Sequence, residues 1–68
     1  MIYEVCAYNH DRTIEFDKKF IDGDYARFIF ETAMECCDVW VVQMCDATTG
    51  EVIMDYNRKS GILASYNI

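Results

Sequence analysis

Apolar and polar positions alternate along most of this chain, and the period of the alternation lengthens for one stretch in the middle before it returns. Residues 2–8 (IYEVCAY) and 13–20 (TIEFDKKF) are rich in β-branched and aromatic side chains, and Asn9-His10-Asp11-Arg12 between them has turn chemistry. They predict a β-hairpin. In its second arm Ile14 and Phe16 alternate with Thr13, Glu15 and Asp17, so one face of that strand is expected to be buried and the other wet. From Tyr25 to Cys37 the spacing becomes helical: Ala26, Ile29, Phe30, Ala33 and Cys37 fall within about 100° of one another, flanked by Tyr25, Met34 and Cys36. Asp22 stands where a cap would accept the free N–H groups of the first turn, and Asp24 adds charge that complements the helix dipole.

Beyond the helix, Val39 to Cys45 is apolar on both alternating faces, the pattern of a central strand covered on both sides. Asp46-Ala47-Thr48-Thr49-Gly50 reads as a hairpin loop with Gly50 in the left-handed position, and 51–57 (EVIMDYN) as the returning strand, with Val52, Met54 and Tyr56 on one face. After Arg58-Lys59-Ser60-Gly61 the tail 62–68 alternates again, with Ile62, Ala64, Tyr66 and Ile68 on one side, and supplies a fifth strand to its own sheet or to a neighbour's. The expected architecture is one α+β domain over 1–68. It is a two-layer sandwich in which a mainly antiparallel four- or five-stranded sheet carries one helix on one face, in the order β-β-α-β-β, residues 62–68 supplying the last strand in the five-stranded version.

One helix cannot shield both faces of such a sheet. Trp40, Val42 and Met44 and their odd-numbered neighbours are largely apolar. The second face is therefore expected to be covered, either by a second copy or a docking partner, with Trp40, Val42 and Met44 as the oligomer interface, or by the tail folding back.

Composition narrows the classes of function. At 68 residues, with 53% hydrophobic and 15% aromatic side chains, the chain folds, and its thin core leaves little room for a large catalytic cleft. Twelve acids against six bases give a net charge of −6, which repels nucleic-acid phosphates and anionic membranes and attracts basic partners. The acids concentrate early, nine against four bases in residues 1–38. No basic, apolar leader opens the chain and no apolar run approaches the roughly 20 residues of a membrane span, so a cytoplasmic protein is expected.

Cys6, Cys36, Cys37 and Cys45 are read as free thiols packing as small hydrophobes. They lack the C-x2-C spacing of a zinc site, so no metal and no cofactor are expected; a four-thiolate site or thiol sensor is the alternative. His10, the single histidine, sits in a turn, no nucleophile has a base beside it, and no phosphate-binding loop or H-E-x-x-H is present. Asp22-Gly23-Asp24 lacks the later ligands of a calcium loop. The chain is expected not to be an enzyme.

The helix face opposite the core stripe carries Asp24, Glu31, Glu35 and Asp38, within about 60° of one another and spanning about 21 Å at the helical rise. Phe28 lies beside them and Arg27 at their edge. The plain reading is a solvated face that keeps a small protein soluble. The sharper reading treats Phe28 as an interface anchor with a charged surround. In size, acidity, tolerance of cysteine and absence of motifs the chain resembles the small inhibitors that phages and mobile elements deploy against bacterial defence nucleases, the anti-CRISPR and anti-restriction proteins. That resemblance implies a nucleic-acid mimic: Asp24, Glu31, Glu35 and Asp38 would occupy a basic groove that otherwise holds DNA or RNA backbone, with Phe28 as the apolar anchor. Steric blocking of a conformational step is the other route it implies. The expected function is a non-enzymatic inhibitor or regulator that binds a basic protein partner and no nucleic acid directly; the alternative is a homo-oligomeric assembly module using the sheet face.

Overall fold

The computed structural model describes residues 1–66; Ile68, assigned above to one face of the tail, lies outside the described residues. The chain runs β1 (Tyr3–Tyr8), β2 (Ile14–Phe20), α1 (Gly23–Met34), β3 (Val41–Asp46), β4 (Val52–Asn57) and β5 (Ile62–Ser65). Every strand pairing is antiparallel, and the strands lie side by side in the order β2-β1-β3-β4-β5. The α+β sandwich expected from the pattern is the fold.

The first hairpin is closed by Asn9. Its carboxamide oxygen accepts from the Asp11 and Thr13 N–H groups at 3.1 and 3.2 Å, the local bonding that makes Asn a turn former. The turn takes Arg12 to φ 71°, where the Cβ of an L residue is crowded. In the second hairpin Gly50 occupies that region at φ 79°, as its position in the loop predicts.

Asp22 caps α1, its carboxylate accepting from the Asp24 N–H at 2.9 Å and the Tyr25 N–H at 3.4 Å. Gly23 follows because the Tyr3 ring lies against it: a Cβ there would meet the Tyr3 hydroxyl at 2.9 Å. The helix ends at Met34 with Glu35 as its C-cap, three residues short of the predicted Cys37. The reason is distant in sequence. Arg58, in the turn after β4, reaches back so that Nη2 donates to Cys36 O at 2.6 Å and Met34 O at 3.3 Å, while Nε donates to Val39 O at 2.8 Å. One guanidinium thus bonds three carbonyls of the helix end and the connector beyond it, Cys36 O also accepting from the Val39 N–H at 3.1 Å. Cys36 and Cys37 are consequently exposed, and Cys37 has no part in the core.

Register decides which side chains share a face. Val5 pairs with Met44 and Ala7 with Val42, and Met44 pairs in turn with Met54 and Val42 with Tyr56. All point toward α1, where Ala26 and Phe30 complete a core with no exposure at Val5, Ala7, Ala26, Phe30 or Val42. A register shift between Met44 and Cys45 sets Val52 opposite Cys45, on the other face from Met54, and Ile53 packs against the core instead. The expected common face of Val52, Met54 and Tyr56 therefore holds only for the last two.

Among the described residues nothing covers the face away from α1, and residues 62–65 extend the sheet at its edge rather than folding over it. Nor is that face apolar throughout. Its three cross-strand rows read Ile14-Tyr8-Val41-Asn57-Ile62, Asp17-Cys6-Gln43-Asp55-Ala64 and Lys19-Glu4-Cys45-Val52. Only the first is a hydrophobic strip. The neighbouring strands contribute polar partners that the composition of residues 39–45 could not show.

Candidate functional site

Phe28 stands on the outer side of α1, 59% exposed, and Tyr25, 52% exposed, is stacked on it with ring centroids 6.3 Å apart and planes tilted by 22°. Phe20, at the end of β2, meets Tyr25 edge-on at 5.4 Å, and Ile21 beside it is 84% exposed. The spacing of three residues brings Tyr25 and Phe28 together on adjacent turns. A continuous aromatic surface results, running from the strand end onto the helix.

Asp24, Glu31 and Glu35 are exposed around it, and their spacing places them in line with Phe28 on one side of the helix. Arg27 lies 3.6 Å from Glu31, both side chains open to solvent, and this is the one ion pair among the described residues. Such a surface pair is worth little, at most about 1 kcal/mol, and yields readily to a better partner. Asp38 does not belong to the line. It lies in the connector beyond the helix end, exposed, with the Cys37 thiol 4.0 Å from its carboxylate. The rigid ridge therefore runs from Asp24 to Glu35, about 16 Å at the helical rise rather than the 21 Å expected.

Tyr25 is the residue that periodicity misassigned. It was set beside the core stripe, yet it pairs outward with Phe28; the signal that could have found it is the i,i+3 pairing of two aromatics next to an unexplained Ile21.

Of the three residues expected to form an oligomer interface, the structure leaves one at the surface. Val42 and Met44 are 0% and 4% exposed beneath α1, so they offer no contact to a second chain. Trp40 is half-buried, its backbone N–H donating to Tyr8 O at 2.8 Å and its ring tilted against His10 at 6.1 Å. With Tyr8, Arg12, Gln43 and Lys59 it lines a shallow hollow of about 530 Å³ at the end of the sheet. A second groove, of about 540 Å³, opens between the first turn of α1 and the β4–β5 hairpin, floored by Met44, Ile53 and Met54.

The uncovered sheet face holds a group of chemistry-bearing side chains that spacing along the chain did not reveal. The potential ligand atoms of Glu4, Cys6 and Asp17 all lie within 4.8 Å of one another. Glu4 and Cys6 alternate onto one face of β1, Asp17 is the cross-strand partner of Cys6, and Cys45 is that of Glu4. The Glu4 carboxyl is held above its ordinary value, first by its hydrogen bond to the Asp17 carboxylate and then by burial. Burial, with Asp17 alongside, pushes the Cys6 thiol up to about 12. Cys45 and Tyr8 are also raised, chiefly by burial.

Compared with known proteins, the chain matches no family model, no curated protein and no solved structure. Among the described residues no helix is long and apolar enough to cross a membrane.

Proposed function

We propose that this protein is a non-enzymatic binding module whose acid-flanked aromatic patch docks on a basic protein partner, and that it acts there as an inhibitor or regulator. The observation that supports this reading is the exposed Tyr25–Phe28 stack with Asp24, Glu31 and Glu35 around it. Burying two large rings in a partner's pocket supplies non-polar contact, and the surrounding carboxylates choose a partner bearing Lys or Arg and hasten the encounter.

Magnitudes favour anchoring over mimicry. Three carboxylates along about 16 Å of helix are far sparser than a duplex backbone, with about one charge per 1.7 Å of axis. The rings therefore supply most of the affinity and the acids the selectivity. A bacterial defence nuclease with a groove for nucleic acid is a partner of this kind, and occupation of that groove by the patch would exclude the substrate.

The test is capture of a partner from a lysate of the native host, followed by measured affinities for the purified pair. Phe28→Ala should weaken binding at least about tenfold, the effect of losing an interface anchor. Glu31→Lys with Glu35→Lys should abolish it, and binding of the parent protein should weaken as salt rises. Affinity indifferent both to Phe28→Ala and to salt would overturn the proposal.

A further inference from the structure

The acid-flanked patch makes no use of the opposite side of the molecule, where two carboxylates and two thiols gather on one face of three hydrogen-bonded strands. We propose that Glu4, Cys6 and Asp17 bind a divalent ion of the zinc class on this face of the sheet.

Geometry comes first. A tetrahedral ion with bonds of about 2.0–2.3 Å holds its ligand atoms about 3.3–3.8 Å apart. The three atoms here lie within 4.8 Å of one another, so rotation of side chains closes the difference without moving a strand. The donors stand on paired strands, which fixes their spacing better than a loop would. Cys45, across from Glu4 on the same face, stands outside this 4.8 Å grouping, so solvent would complete the coordination.

The electrostatics point the same way. The groups facing this spot are Glu4, Cys6 and Tyr8 from β1, Asp17 and Lys19 from β2, and Gln43 and Cys45 from β3. Lys19 is the one cation among them, paired across from Glu4. Two carboxylates so close repel one another, and a divalent ion between them neutralises both. The Cys6 thiol selects its class: a hard oxygen-seeking ion such as calcium or magnesium gains nothing from sulfur, whereas zinc and cobalt bind it well. On binding, the S–H bond of Cys6 breaks, its sulfur bonds to the metal and the proton passes to solvent, so affinity rises with pH.

The experiment is a titration of the reduced, metal-stripped full chain with cobalt(II), read by absorption, with zinc(II) as competitor. One equivalent should bind with a thiolate-to-cobalt charge-transfer band and the visible bands of a tetrahedral ion, and zinc should displace it. Cys6→Ser should remove the charge-transfer band or sharply reduce it. Asp17→Asn and Glu4→Gln, at a solvent-exposed and a half-buried position, should each weaken binding at least about tenfold while leaving the far-ultraviolet circular dichroism unchanged. The double variant Cys36→Ser with Cys37→Ser should bind as the parent does, and so should Phe28→Ala. Failure of cobalt to bind stoichiometrically, or a spectrum that survives Cys6→Ser and is lost with Cys36 and Cys37, would overturn the site without touching the docking surface on the helix.

Discussion

Four cysteines of one chemical type lie in two unlike settings, and their reactivity should divide accordingly. Cys36 and Cys37 are exposed beyond the end of α1, whereas Cys6 and Cys45 are half-buried among acids on the sheet, with Cys6 pushed up to about 12. Because the thiolate is the nucleophile, a thiol reagent at neutral pH should modify Cys36 and Cys37 rapidly and Cys6 at least about tenfold more slowly, as peptide mass mapping over time would show. A raised thiol favours the fold while it stays protonated. The Cys6 contribution is thus fully present below its ordinary value of 9.0 and is lost as pH climbs toward about 12. Glu4 follows the same sign at lower pH. Its contribution is present below 4.5 and lost as pH rises through the raised value. Above that value Glu4→Gln should therefore raise the thermal midpoint of the metal-free chain, and the advantage should vanish well below pH 4.5. Equal midpoint differences across the pH range would contradict the raised Glu4 carboxyl.

At the scale of elements, the interaction that most shapes the chain is the reach of Arg58 across to the connector between α1 and β3. Three carbonyls from Met34 to Val39 share one planar donor, which a lysine cannot imitate. Arg58→Met should cost about 1.5–3 kcal/mol in urea unfolding, the range for hydrogen bonds to a charged group, and Arg58→Lys should recover only part of it. Amide exchange should quicken around residues 34–39 before it quickens in β1. This contact also explains where sequence reading fell short. Helical periodicity continues through Cys37, whereas the chain tightens into i→i−3 bonds at Glu35 and Cys36, and the guanidinium that holds this turn comes from a residue more than twenty positions away. The start of α1 was legible because its cap is local: Asp22 bonds the N–H groups two and three residues on. Asn9 in the first turn was legible for the same reason.

At the scale of the molecule, stability rests on a small set of side chains. Phe30, Val5 and Val42 are the largest wholly buried ones, all between α1 and the central strands. A domain of this length has about 3–10 kcal/mol in hand, and removing a buried phenylalanine costs about 3–5 kcal/mol. Phe30→Ala should leave a chain largely unfolded at 37 °C by circular dichroism, while Phe28→Ala, two residues away and 59% exposed, should leave its midpoint nearly unchanged. That contrast separates the inward and outward sides of one helix. It also marks what the candidate surfaces owe to each level. The helical ridge of Asp24, Phe28, Glu31 and Glu35 was readable because its order parameter is the helical repeat. The cluster on the sheet was not, since Glu4 and Cys6 meet Asp17 only through strand pairing.

Alternation and caps, written in neighbouring residues, determined by themselves the first five elements, the face α1 turns inward and the outward position of Phe28. Tertiary structure alone decided which strands lie side by side. From that order followed the burial of Val42 and Met44, the half-polar second face, the early end of α1 under Arg58 and the meeting of Glu4, Cys6 and Asp17. The physical reason is range. Backbone propensity and periodicity act within a few residues, whereas register, the displaced pairing at Cys45 and a long-range guanidinium contact are settled only when segments far apart in the chain compete for the same core.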